Sequence, residues 1–283
     1  MTDVLKLWPL LTATHRYDKS ISTRNRGHGT LIEAPILAFL IETRQGRILF
    51  DVGCDYAKIN NPALKTRWFD PLEFPMGPPD MHDDQRLPAH LARHGLTPAD
   101  IDLVFLSHLH FDHAGGLEDF PNAQVHVLQR EMDAARSTHS FLGHRRYRHQ
   151  QWDEVRHWQF YEPGGDTWFG FQAVRELRGL PPEILLIPLT GHTHGHAGVA
   201  LDTGHGWLLH AGDAYFYRDE VGQTERHCTP GLRFYQRMME TDRTARLANQ
   251  HRLWTLSLEH KDEVTLFCSH DAKELERMRA RSV

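Results

Sequence analysis

The chain has 283 residues, 40% of them hydrophobic, and a formal net charge of −5 at pH 7. That length suffices for one large domain with a real core, and the acidic balance argues against a general nucleic-acid binder. Cys54, Cys228 and Cys268 are too widely spaced for a Cys-x-x-Cys metal site and too few for a disulfide framework.

No run of about 18 apolar residues offers a membrane span. The N-terminal segment lacks the basic start and small-residue cleavage site of a secretory signal, so a cytoplasmic location is expected. Along the chain, PILAFLIETRQGRILFDVG predicts two apolar strands joined by a turn at Arg44-Gln45-Gly46, the second ending at Asp51-Val52-Gly53. Residues 54–85, rich in Pro, Asp and Asn, read as a long surface loop of the kind that serves substrate contact. RLPAHLARHGL predicts a short helix closed by Gly95. IDLVFLS reads as a buried strand that runs straight into a histidine cluster. AQVHVL is a further strand and REMDAARS begins a helix, whereas residues 138–180 show no readable period. EILLIPL is a strand entering TGHTHGH, and HAGVALDTGHGWLLHAGDA is a hairpin about Thr203-Gly204 that ends at Asp213. Residues 230–260 predict one or two amphipathic helices, EVTLFCSHD a strand ending at His270, and AKELERMRARS a final helix.

Strands and helices alternate without a linker, so one α/β domain over residues 1–283 is expected. His108, His192, Asp213 and His270 each sit just past an apolar strand. Strand ends meet at one edge of a sheet, where α/β proteins place their sites.

The cluster SHLHFDHAGG carries the chemistry. If the strand continues, His108 and His110 point the same way and grip one cation. The next turn brings Asp112 and His113 round toward a second. Zinc takes imidazole nitrogens and carboxylate oxygens, and catalytic sites keep a position for water.

The cluster resembles the His-x-His-x-Asp-His signature of the metallo-β-lactamase superfamily. FDVG lies upstream, and GHTHGH, HAGD and SHD follow in order, so the resemblance covers roughly residues 30–275. It implies a four-layer αββα sandwich, α+β within the broad α/β class, with a dinuclear metal site at one edge of the two sheets. It implies His108, His110 and His192 around one metal, and Asp112, His113 and His270 around the other. Asp213 is implied as the bridge and Asp51 as the support of a ligand imidazole. The implied cofactors are two divalent metal ions, zinc first, with manganese or iron as alternatives. The family's usual Pro-Gly-His-Thr-Pro-Gly-His reads here as Thr190-Gly191-His192-Thr193-His194-Gly195-His196, with His194 in place of a proline. His194 is expected as a solvated loop residue and His196 as a supporting or core residue.

In such a site two cations about 3.5–4 Å apart share and acidify a water that attacks a carbonyl or phosphoryl centre. Asp112 is then the expected proton donor to the leaving group. Tyr215 and Tyr217 are the candidate oxyanion donors, although the position where related lactonases carry a tyrosine is Phe216. HLHFDHAGG, FPNAQVHV and the terminal HD resemble the N-acyl-homoserine lactone lactonases. Hydrolysis of a small ester, a lactone first, is therefore expected, with Trp68, Phe69, Phe74 and Met76 suited to an acyl chain. Thioesterases of the glyoxalase II kind, organophosphate or arylester hydrolases and phosphodiesterases share the metal set. The complete ligand set argues against a non-catalytic metal-binding protein. Neither nucleic acid nor membrane is expected as a partner, and nothing in the sequence sets the oligomeric state.

Overall fold

The computed structural model describes residues 2–18, 31–69, 78–138, 147–164, 167–174 and 177–281. The first sheet contains Val4–Asp18 (β1), Leu31–Thr43 (β2), Arg47–Phe50 (β3), Leu103–Phe105 (β4), Gln124–Leu128 (β5) and Trp158–Tyr161 (β6), in that spatial order. The β1–β2 and β2–β3 pairs are antiparallel, and the ladders from β3 to β6 are parallel. Thr167–Trp168 (β7) and Phe171–Gln172 (β8) form a small hairpin. Ile184–Pro188 (β9), Ala197–Asp202 (β10), Trp207–His210 (β11) and Val264–Phe267 (β12) make the second sheet, ordered β12-β11-β10-β9.

The short apolar runs form strands because both of their faces are covered. In β3, Ile48 and Phe50 enter the core between the sheets while Leu49 faces outward. In β9, Ile184 and Leu186 enter that same core while Leu185 and Ile187 face the other way. Phe39, Phe105, Val199 and Phe267 complete the central layer. Leu87 and Leu91 of helix Leu87–Arg93, with Met132 and Ala135 of helix Gln129–Ser137, cover the outside of the first sheet. Leu253 and Leu256 of helix Arg243–Glu259 cover the outside of the second. This is the αββα sandwich expected from the sequence.

Three elements differ from the expectation. β1 was hidden because register shifts near Val4/Lys6 and Leu11/Ala13 break its alternation, and because it contains Pro9. As the edge strand of its sheet it tolerates a residue without an N–H. In the supposed loop of residues 54–85, the helices Tyr56–Asn60 and Pro62–Trp68 form. The Asp and Asn that looked like loop residues are their caps: Asp55 accepts from Lys58 N, and Asn61 from Ala63 N and Leu64 N. Pro62 opens the second of these helices, where no N–H is needed.

Candidate metal centre

Strand ends from both sheets deliver the predicted residues to one place. Asp51 follows β3 with its φ at +56°, an uncommon conformation for a non-glycine residue. Its own amide donates to Phe105 O at 2.7 Å, which ties the turn to β4. The turned backbone aims the carboxylate under the next strand end. There it accepts from Ser107 N at 2.7 Å, Ser107 Oγ at 2.9 Å and His113 Nδ1 at 2.8 Å. Burial pushes the Asp51 carboxyl up, and His113 and Ser107 counter that by bonding to its charged form.

These bonds assign the protons. The hydroxyl of Ser107 is spent on Asp51, so at 2.9 Å its oxygen accepts from Nδ1–H of His108. His113 likewise gives its Nδ1–H to Asp51, and His270 gives its own to Pro35 O at 2.8 Å. Each ring therefore turns its Nε2 inward, bare on His108 and facing the Asp213 carboxylate on His113 and His270. The Nε2 of His108 is fully enclosed and makes no hydrogen bond. An orphaned buried acceptor is costly, and here it faces other histidines. Imidazoles anchored through one nitrogen with the other bare are the arrangement a metal requires.

The potential donors fall into overlapping groups. His108, His110 and His192 have ligand atoms within 4.8 Å of one another, as do His108, His113 and Asp213, and Asp112, His113 and His270. Asp213 lies between the halves. Its Oδ1 is 3.4 Å from His113 Nε2 and 3.1 Å from His270 Nε2, and its Oδ2 is 3.4 Å from His192 Nε2. Burial opposes ionisation of Asp213, but His270 and His113 outweigh it and hold the carboxyl well below its usual range. Burial likewise lowers His113, yet Asp213, Asp51 and Asp112 hold it well above the ordinary imidazole value. His108 goes the other way, pushed well down by burial and by the neighbouring histidines. The pocket is thus a nitrogen and oxygen donor set around concentrated negative charge, which suits divalent cations.

His196 and His194 separate as expected. His194 is exposed, whereas His196 is buried. His196 donates from Nδ1 to Leu189 O at 2.9 Å and accepts the Asp213 amide at Nε2, also at 2.9 Å. Burial lowers it to about 4, so it stays neutral and holds the Asp213 backbone.

The tyrosines do not fit their expected role equally. The Tyr215 hydroxyl donates to the Glu274 carboxylate at 3.1 and 3.2 Å, and its fully buried ring belongs to the layer outside the second sheet. An oxyanion role for Tyr215 is therefore corrected: its donor is already used, on the far side of the turn. Tyr217 is half-buried, with the Arg218 guanidinium 4.8 Å over its ring. Phe216 is the ring that meets the centre. It stacks on His270 with centroids 5.5 Å apart and planes 4° from parallel, and lies 5.8 Å from His192.

The apolar wall also differs in detail. Phe69 packs edge-on against Phe111 at 5.5 Å, next to Asp112. Trp68 carries the Lys58 ammonium 4.6 Å over its ring. Phe74 and Met76 lie outside the described residues. Ser107 and Phe111 were missed from sequence, and the only available signal was that each abuts a candidate ligand.

Residues 32–270 match the family model described as the metallo-beta-lactamase superfamily. A Mycobacterium tuberculosis protein bearing the name probable metallo-hydrolase is 30% identical over 233 residues, or 82% of this chain and 73% of that relative. The N-acyl homoserine lactonase AiiA of Bacillus thuringiensis subsp. kurstaki is 29% identical over 175 residues, 62% of this chain and 61% of that enzyme. Among solved structures, an N-acyl homoserine lactone hydrolase with the product N-hexanoyl-L-homoserine at its catalytic metal centre superposes with a TM-score of 0.73. It is 25% identical, and the superposition covers 100% of this chain and 98% of that one.

Proposed function

The chain belongs to the metallo-beta-lactamase superfamily and is a metal-dependent hydrolase, and from that premise we propose that it opens a carboxylic ester, specifically a lactone ring with an apolar appendage. His108, His110 and His192 would hold one divalent ion, Asp112, His113 and His270 a second, with Asp213 shared between them. The observation that carries this reading is the inward, bare Nε2 of His108 among rings whose outer nitrogens are anchored. Zinc suits such a mixed imidazole and carboxylate set. Bound divalent ions supply Lewis acidity, which polarises an ester carbonyl and lowers the pKa of water toward about 7.

The chain's own residues do the rest. Asp51 fixes His113 and, through Ser107, His108. Asp112 is partly exposed, with its carboxylate 3.7 Å from both His113 Nε2 and His270 Nε2. That places it to take a proton from the attacking water and hand it to the leaving alkoxide. Phe216 keeps water off His270 on one side, and the Phe69–Phe111 pair offers apolar surface beside Asp112 for an acyl chain. The free thiols Cys54, Cys228 and Cys268 accord with a reducing cytoplasm.

A substrate panel on metal-loaded protein tests the reading: acyl-lactones of graded chain length, a thioester, a phosphotriester and a phosphodiester. Lactones should turn over best, with kcat/KM rising along the chain by up to about 0.8 kcal/mol per buried methylene. Inert lactones beside an efficient thioester or phosphotriester would move the assignment to that other ester class and leave the metal centre as described.

A further inference from the structure

Glu131 stands in the first turn of helix Gln129–Ser137 and is fully buried. A carboxylate that deep needs compensating donors. Its Oε1 accepts the Leu109 amide at 3.0 Å and its Oε2 accepts the Gly195 amide at 3.0 Å. The hydroxyls of Thr193 and Tyr147 also act on it. Leu109 is the residue between His108 and His110, and Gly195 lies in the turn between His192 and His196. One rigid group therefore ties together the two segments that supply the three-histidine cluster. The close approach is built into the sequence, since a Cβ at position 195 would collide with the Glu131 backbone.

We propose that Glu131 is a positioning residue for the three-histidine half of the centre. By holding the amides of Leu109 and Gly195 at a fixed separation, it sets His108 and His110 relative to His192 before a cation arrives. The inference rests on the metal reading above. Asp51 serves the other half through its bond to His113. The centre thus has two buried carboxylates behind it: Asp51 reaches both halves, through His113 and through Ser107 to His108, whereas Glu131 bonds only the segments of the three-histidine half.

Glu131→Gln keeps the shape, but its NH₂ would meet one of the two amides instead of accepting from it, so one segment is released. Cobalt(II) titration of metal-free protein, followed by visible absorption and calorimetry, provides a readout independent of turnover. Wild type should take up two equivalents. In Glu131→Gln one binding step should weaken about 10–100-fold, as expected for loss of a support behind metal ligands. In Asp51→Asn, run in parallel, both steps should weaken, one through His113 and the other through Ser107 and His108. The proposal is overturned if Glu131→Gln binds both equivalents like wild type, or weakens both steps as Asp51→Asn does. If wild type itself takes up no cobalt, the metal reading falls and this inference with it. Should Glu131→Gln fail to fold, hydrogen exchange of metal-free wild type decides. The Leu109 and Gly195 amides should be as protected as strand amides, and exchange at open-loop rates would overturn the proposal.

Discussion

At the scale of single residues, the proposed roles in ligation and proton transfer meet in Asp112. Asp112→Asn can still offer an oxygen but cannot donate a carboxyl proton. Activity should fall about 10²–10⁴-fold, and less for esters whose leaving group is already a good anion. An equal loss across good and poor leaving groups would assign Asp112 to ligation alone. Tyr215 provides the contrast. Its hydroxyl serves Glu274 and not the centre, so Tyr215→Phe should cost about 1 kcal/mol of stability and leave kcat within a few-fold. A kcat loss of a hundredfold or more with normal metal content would restore the oxyanion role. The candidate ligands were legible because His108, His192, Asp213 and His270 each sit just past an apolar strand, and a strand end is visible in sequence. Which of residues 215, 216 and 217 faces inward was not legible, because the stretch after Asp213 is an aperiodic turn. Glu131 was illegible for another reason: an acid in the first turn of a helix is ordinarily a solvated partner of the helix dipole.

At the scale of elements, a buried carboxyl in the last helix creates a pH dependence. Glu274, in helix Ala272–Ala280, accepts the Cys268 amide and the Tyr215 hydroxyl and contacts Arg277. Burial, with Asp271 adding to it, pushes Glu274 from 4.5 up to about 7. Below pH 4.5 the group is protonated in both folded and unfolded chains and makes no difference. Between 4.5 and about 7 the unfolded chain has released its proton and the folded one retains it, so stability falls as pH rises. Above about 7 the penalty is constant, at most about 3 kcal/mol. Denaturant unfolding of wild type and Glu274→Gln across that window should show a gap that narrows or reverses in favour of the variant with rising pH. A pH-independent gap would mean that Glu274 ionises normally. The strands were readable for the converse reason: β9, and β3 after Arg47, contain only apolar side chains in an unbroken ladder. β1 carries its bulges and Pro9 because an edge tolerates them, and those features erased its period.

At the scale of the whole molecule, the two sheets are joined electrostatically as well as by their shared core. Asp51, His108 and His113 extend from the first sheet, while His192, Asp213 and His270 extend from the second. Cations held between them would stabilise the folded state by mass action, by about 4 kcal/mol at a thousandfold excess over Kd. Chelation should therefore lower Tm by roughly 10 °C, and re-addition of zinc should restore it. A Tm indifferent to both treatments would show that the sandwich does not depend on ions at this edge. The residues of the centre are also spread along the chain in a telling way, since His270 donates to Pro35 O across 235 positions. A ribosome delivers His108, His110 and His192 well before β12 emerges. If the centre holds two ions as proposed, the three-histidine group is complete in the nascent chain while the partner half still lacks His270, so the direction of translation favours capture at the three-histidine group first.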